Sequence, residues 1–200
     1  MTEPLLETRG LKKTFGALVA TDGVDFDVRA GETHAVIGPN GAGKTTFIKQ
    51  LSGELRPDIG RVRFAGADVT SLSVPRRSRR GLARSFQITS IYRDFTALDN
   101  VALAVQAHAG HSFRFWRHAR EDRSLTRPAM RVLEEVGLEK RAHSLAANLS
   151  HGEQRQLELA MALATRPRLL LLDEPVAGMG TDESQRMIEL LASLKGEKTI

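Results

Sequence analysis

Residues Gly38-Pro39-Asn40-Gly41-Ala42-Gly43-Lys44-Thr45 spell G-x-x-x-x-G-K-T, the phosphate-cradling P-loop pattern. The glycines let the backbone curl until successive N–H groups point into one anion-sized hollow. Lys44 is then placed to reach β- and γ-phosphates, and the Thr45 hydroxyl to ligate Mg²⁺. The flanks suit the motif. Thr33-His34-Ala35-Val36-Ile37 predicts a short buried strand, and Thr45-Thr46-Phe47-Ile48-Lys49-Gln50-Leu51 predicts the helix that follows. Strand, loop and helix in that order put a helix N-terminus, with its free donors and positive dipole end, under the phosphates. The reading outward from this loop is an α/β chain that binds a nucleoside triphosphate.

The 200 residues are enough for one domain with a real core, and 41% of them are hydrophobic. No apolar run approaches the roughly 18 residues that a membrane span needs, and Met1-Thr2-Glu3-Pro4 lacks the basic and apolar regions of a signal peptide. With no cysteine, disulfides and thiolate zinc sites are excluded. The net charge of +5 is uneven: Arg76, Arg77, Arg79, Arg80 and Arg84 form one cluster, and Arg114, Arg117, His118, Arg120 and Arg123 another. Nucleic acid, an anionic membrane surface or a plain solvated face would each account for them. One Trp and one Tyr make no stacking platform for single-stranded nucleic acid.

Val24-Asp25-Phe26-Asp27-Val28 and Arg61-Val62-Arg63-Phe64-Ala65 alternate with period two, which predicts an N-terminal β lobe. From about Ala97 to Leu145 the period is helical, through Leu98, Val101, Leu103 and Val105 and again through Met130, Leu133, Val136 and Leu138. His108 to Arg127 is basic and weakly periodic and reads as a mobile connection, with Pro128 in the first turn of the next helix. A helix is predicted from about Asp182 to Lys195, capped by Gly196, and Lys198-Thr199-Ile200 begins another strand.

Leu169-Leu170-Leu171-Leu172-Asp173-Glu174 is a buried strand ending in two carboxylates. Asp173 would sit beside the P-loop and hold Mg²⁺ or its waters, and Glu174 is the candidate general base for an attacking water. Leu149-Ser150-His151-Gly152-Glu153 has Ser150 as an N-cap with Glu153 three residues on, a capping box. The same Ser-x-Gly is a second small anion site at a helix start.

Leu-Ser-x-Gly-Glu some twenty residues before such a strand resembles the signature motif of ATP-binding cassette (ABC) ATPases, and other motifs agree in order. Gln87, in Ala83-Arg84-Ser85-Phe86-Gln87, matches the family's Q-loop glutamine; Phe15, in Lys13-Thr14-Phe15-Gly16, matches the aromatic position that stacks on adenine. The resemblance covers essentially the whole chain. It implies a RecA-like core, an N-terminal antiparallel β lobe and an α-helical subdomain: residues 1–87 as β lobe and first part of the core, 88–148 as helical subdomain with the signature at its edge (149–153), and 154–200 as the second, incomplete part of the core.

The family also implies the site. ATP and Mg²⁺ are the expected cofactors, with Gly38, Pro39, Asn40, Gly41, Ala42, Gly43, Lys44, Thr45 and Thr46 on the phosphates, Phe15 on the adenine, and Thr45, Gln87 and Asp173 at the metal. Glu174, Lys44 and Gln87 would carry catalysis. Ser150, Gly152 and Glu153 would meet the γ-phosphate held by a second subunit in a head-to-tail dimer. The sequence departs from the family at three places. His151 replaces the usual signature glycine, Ala177-Gly178-Met179-Gly180 occupies the loop where relatives have Ser-Ala-Leu-Asp, and the chain ends before the switch histidine. A C-terminally truncated cassette that hydrolyses ATP poorly is therefore expected.

Finer features, including Gly81 to Ile88, Phe95 to Val101, Ser150 to Glu158, Glu174 to Met179 and the basic insertion, resemble the ATPase subunits of bacterial branched-chain amino acid importers. Urea and short-chain amide importers share them. The implied partners are transmembrane permease subunits, a second ATPase subunit and, indirectly, an extracytoplasmic binding protein, with the chain peripheral on the cytoplasmic face of the inner membrane. The alternative is a soluble ABC ATPase acting on nucleic acid or ribosomes. It is disfavoured by a single P-loop and by the lack of cysteine and of sustained heptads.

Overall fold

Strand β1 (Leu6–Phe15) lies between β2 (Leu18–Val28) and β3 (Ile59–Phe64), antiparallel to both, and β4 (Ala67–Asp68) completes a sheet in the order β2-β1-β3-β4. This is the predicted antiparallel lobe, in a computed structural model that describes residues 3–84, 91–109 and 122–200. The alternation in β3 works as expected: Val62 and Phe64 are buried, whereas Ile59, Arg61 and Arg63 face solvent.

The chain divides into two compact units, Met1–Arg84 with Arg168–Asp173 and Leu194–Ile200, and Ser85–Pro167 with Glu174–Ser193. In the first, the β lobe shares a core with helix α1 (Lys44–Ser52), β5 (Leu82–Arg84) and β6 (Leu169–Leu171). Leu6, Leu11, Leu51, Val62, Phe64, Leu82 and Leu169 are all at most 2% exposed. Each such Leu or Phe contributes roughly 1.5–3 kcal/mol by leaving water. Strands β5 and β6 pair in parallel, Ala83 opposite Leu170, and Leu170 N–H donates to Thr199 C=O at 2.9 Å on β6's other side. With neighbours on both edges, the Leu169–Leu171 run is fully buried.

Thr33–Ile37 does not form the predicted buried strand. The segment is irregular and exposed, with Ile37 90% accessible. The physical reason is pairing. His34 N–H donates to Ile200 C=O at 2.8 Å, and among the described residues no further backbone bond joins 33–37 to a neighbour. Apolar residues without a ladder partner do not make a strand.

Two arginines of the first predicted surface cluster are interior. The short helix α2 (Val74–Ser78) carries Arg77, which is 1% exposed, and β5 ends in Arg84, at 8%. Arg77 is a cap for α1. Its Nη1 donates to Gln50 C=O (2.8 Å) and Leu51 C=O (2.6 Å), its Nη2 to Thr70 C=O (2.9 Å) and its Nε to Leu72 C=O (3.1 Å). Carbonyls in the last turn of a helix lack intrahelical partners, and a cation there also suits the dipole. Burial pushes the Arg77 guanidinium down to about 10, with Asp68 opposing the shift. Arg76, Arg79 and Arg80 do face solvent.

The second unit is helical: α3 (Ala97–Ala109), α4 (Arg123–Glu135), α5 (His151–Ala164) and α6 (Thr181–Ser193). Helix α3 packs on α4 and α5, and α6 packs on α5, around Val101, Ala129, Leu133 and Leu157. Two boundaries differ from expectation. Helix α4 begins at Arg123, capped by the Asp122 carboxylate accepting from Ser124 N–H, so residues 123–127 of the expected mobile connection are helix, as are 108–109 at the end of α3, and Pro128 lies in the helix interior. Asp122 is an N-cap as good as proline is a start signal, and it acts first. Helix α6 ends at Ser193, ahead of Gly196, where Lys195 and Lys198 bridge across a turn. Among the described residues, no helix is long and apolar enough to cross a membrane.

Candidate functional site

The P-loop is held from two sides. Lys44 Nζ donates to Gly38 C=O at 2.8 Å and Pro39 C=O at 2.9 Å, so the ammonium clasps the loop that precedes it. Gly43 caps α1 at φ 85°, and a Cβ built there would lie 2.0 Å from Ala20 C=O on β2. Only glycine allows both that angle and that approach. Helix α1 has no side-chain N-cap and no acidic residue in its first turn. Its first amides and positive dipole end are therefore left for an external anion.

Asp173 stands at the end of β6, 9% exposed, with Oδ1 3.4 Å from the Thr45 hydroxyl. Oδ2 accepts from Arg84 Nη2 at 3.1 Å, and Arg84 Nη1 binds Glu54. A hydroxyl and a carboxylate oxygen side by side at the mouth of a phosphate loop fit a hard divalent cation that shares its shell with phosphate and water. The residues present thus suit Mg²⁺ carried on a triphosphate. Among the described residues no cluster of three acidic or histidine side chains could hold a metal alone.

Phe15, 48% exposed, closes β1 at the hairpin leading into β2, the strand whose Ala20 abuts Gly43. Its setting is fixed by Asp58, which accepts from Lys13 Nζ (2.6 Å), Thr14 N–H (2.8 Å) and Thr14 Oγ1 (2.9 Å). The Lys13 bond foremost, with those of Thr14, holds the Asp58 carboxyl down at about 2. Lys13 Nζ also lies 5.6 Å from the Phe15 ring centroid.

In the second unit, Ser150 caps α5 in a full capping box: Glu153 N–H donates to Ser150 Oγ at 3.2 Å and Ser150 N–H to Glu153 Oε2 at 2.8 Å. Arg141 pairs with the other oxygen of Glu153 at 3.1 Å. Glu183, in the first turn of α6, accepts from Ser150 Oγ at 3.1 Å and from Gly152 N–H at 3.2 Å. Desolvation raises the Glu183 carboxyl, and the hydrogen bonds of Ser150, Gly152 and Gly180 outweigh it, leaving it below the usual range. His151 is exposed while Gly152 is buried, so the histidine that replaces the signature glycine points away from the packed face. Glu174 is exposed and adopts φ 50°, a left-handed angle rare outside glycine and costly by about 1 kcal/mol or more.

The predicted residues Gly38 to Thr46, Asp173 and Phe15 thus share one unit, and Ser150, Gly152 and Glu153 share the other. Gln87 lies outside the described residues, as do Arg114, Arg117, His118 and Arg120. Sequence reasoning missed Glu54, Arg84 and Glu183 as parts of these constellations. Arg84 carried a usable signal, a charge at the end of the short buried strand β5. Glu183 looked like an ordinary acidic residue in a first helical turn, and Glu54 had no signal at all.

The family model described as ABC transporter matches residues 21–177. The chain is 36% identical over 205 residues to the high-affinity branched-chain amino acid transport ATP-binding protein BraF of Pseudomonas aeruginosa, covering 100% of this chain and 80% of that protein. It is 38% identical over 193 residues to the probable branched-chain amino acid transport ATP-binding protein LivG of Archaeoglobus fulgidus, covering 96% and 75%. Among solved structures, MJ1267, an ATP-binding cassette of an ABC transporter, superposes with a TM-score of 0.86 at 28% identity, over 100% of this chain and 80% of that one. Loop, carboxylates, capped signature helix and likeness along the full chain lead to one assignment: the chain belongs to the ABC transporter family, as one of its ATP-binding, ATP-hydrolysing subunits.

Proposed function

We propose that this chain is the motor subunit of an importer for branched-chain amino acids, peripheral on the cytoplasmic face of the membrane. The observation that carries the cargo class is the 36% identity, spanning the whole chain, to a branched-chain amino acid transport ATP-binding protein. Residues 1–87 and 154–200 would form the catalytic core, with α5 and α6 as the part of it that packs with the helices of 88–148, the subdomain that meets a permease.

The residues divide the work as follows. Phe15 offers its exposed ring to the adenine, and the amides of Gly41 to Thr46 with Lys44 hold the phosphates. Thr45 and Asp173, joined by Gln87, would ligate Mg²⁺, which when bound neutralises charge on the β- and γ-phosphates. Glu174 takes the proton of the attacking water as general base. Ser150 and Gly152 supply hydroxyl and amide donors to the γ-phosphate on a second copy, so hydrolysis needs head-to-tail closure.

That reading puts a demand on Glu183. The Ser150 hydroxyl has one proton, and it is already donated to the Glu183 carboxylate. Ser150 serves a partner's phosphate after Glu183 withdraws, and closure is coupled to opening this contact.

The test is to tag the chain in its native host and identify what co-purifies from membranes. A multi-span permease with a binding protein that takes leucine, isoleucine or valine supports the reading. A binding protein for urea or amides moves the cargo, and ribosomes or DNA without a membrane subunit overturn transport.

A further inference from the structure

Arg84 is the most buried charged side chain near the candidate metal position, its side chain 3% exposed. Its guanidinium does not take the side-on, two-pronged grip that makes the strongest single carboxylate pair. It bridges instead: Nη2 binds Asp173 Oδ2 at 3.1 Å and Nη1 binds Glu54, while Nε, buried, has no acceptor among the described residues. Glu54 Oε1 lies 3.2 Å from Ser52 Oγ at the end of α1, whose one hydroxyl proton is shared between it and Lys49 C=O at 3.1 Å. The chain from the end of the P-loop helix to the end of β6 is therefore Ser52, Glu54, Arg84, Asp173, and it closes on Thr45 at the start of the same helix.

The consequence for Asp173 is geometric. With Oδ2 fixed by Arg84, rotation of the carboxylate is stopped with Oδ1 directed at the Thr45 hydroxyl. Glu54 takes the other arm of the guanidinium, so one positive charge faces two carboxylates and does not offset both. We propose that Arg84 is a positioning residue for the metal carboxylate: by tying Asp173 Oδ2 to Glu54 it sets the Asp173–Thr45 oxygen pair for a divalent ion. The proposal rests on the reading of that pair as the Mg²⁺ site of an ATP-binding cassette.

Charge and position predict opposite signs. Removing a cation from beside a divalent-ion site raises the ion's affinity if charge alone matters. Loss of an orienting outer-shell partner lowers it, typically by 10- to 100-fold.

The experiment uses the full chain, Mn²⁺ as the probe and its electron paramagnetic resonance signal as the readout. Mn²⁺ affinity is measured in the presence of ATP, and ATP affinity is measured separately in EDTA. Arg84→Gln is expected to weaken Mn²⁺ roughly tenfold, with metal-free ATP binding within about twofold of wild type. Arg84→Lys keeps the charge but gathers its donors on one nitrogen in place of a rigid fork with an Nη for each carboxylate, and is expected to weaken Mn²⁺ in the same direction by less. Stronger or unchanged Mn²⁺ binding in Arg84→Gln overturns the proposal, as does a parallel loss of metal-dependent and metal-free binding. Should Arg84→Gln not fold, Arg84→Lys decides, and an unchanged Mn²⁺ affinity there overturns it. A wild-type chain that takes up ATP in EDTA but no Mn²⁺ sinks the Asp173–Thr45 metal assignment and this proposal with it. A wild-type chain that takes up no ATP at all sinks the nucleotide reading beneath both.

Discussion

Glu183 sits on the donors of Ser150: its Oε1 accepts the serine hydroxyl at 3.1 Å and the Gly152 amide at 3.2 Å. A carboxylate in that place resembles an anionic ligand that the chain supplies to itself. A protein whose competent state is populated a tenth of the time binds its partner about tenfold more weakly than the competent state does. Glu183→Gln, in a Glu174→Gln background that removes the proposed general base, is therefore expected to tighten the proposed ATP-dependent dimerisation several-fold, up to about tenfold. Sedimentation velocity across a concentration series reads this directly. Dimerisation that weakens would show instead that Glu183 holds the signature in its working geometry.

Arg77 looks like a surface charge in sequence and behaves as a core residue. Four carbonyls depend on it, two of them in the last turn of α1. Hydrogen bonds to a charged group contribute about 1.5–3 kcal/mol, and stranding buried acceptors adds to the loss, so Arg77→Met is expected to cost about 3 kcal/mol or more. Urea unfolding should show a lower midpoint with an unchanged slope. Arg76→Met, one residue away and exposed, should stay within about 0.5 kcal/mol of wild type.

The contrast between Leu169–Leu171 and Thr33–Ile37 shows what sequence can and cannot report. Both segments read as buried strands. One finds β5 and Thr199 on its two edges; the other, among the described residues, makes a backbone bond to Ile200 alone. Apolarity signals a wish to be buried, but pairing depends on which distant segment arrives alongside. The same distinction separates Ser150 from Glu183. The capping box was legible because its partners are three residues apart, whereas Glu183 reaches Ser150 across 33 positions. The P-loop was legible for the local reason too: its function is carried by consecutive backbone amides.

Gly43 tests that local reading. Alanine would need φ 85° and would place its Cβ 2.0 Å from Ala20 C=O, so both the loop and β2 must shift. The left-handed angle alone costs about 1 kcal/mol, and the collision with fixed backbone adds to it. Gly43→Ala is expected to reduce ATP affinity at least a hundredfold, by calorimetry, with a melting temperature several degrees lower. Gly16→Ala, at φ 58° with nothing within 4 Å of its Cβ, should lower the melting temperature slightly and leave ATP affinity within about twofold.

Asp58 gives the fold a pH dependence of known sign. Its carboxyl is held at about 2, against an ordinary 3.8, by Lys13 and Thr14. A depressed carboxylate stabilises the native state fully above the unfolded value, and that contribution fades as pH falls from about 4 through about 2. Wild type should therefore melt higher than Asp58→Asn at pH 7, and the two curves should converge towards pH 2. Because the same carboxylate fixes Lys13 and Thr14 next to Phe15, the substitution should also weaken ATP at pH 7, by about two- to fivefold, the scale of one exposed hydrogen-bonded contact. A stability gap that stays constant from pH 7 to pH 2 would remove Asp58 ionisation as the cause. Unchanged ATP affinity would detach the hairpin's anchoring from the proposed adenine contact at Phe15.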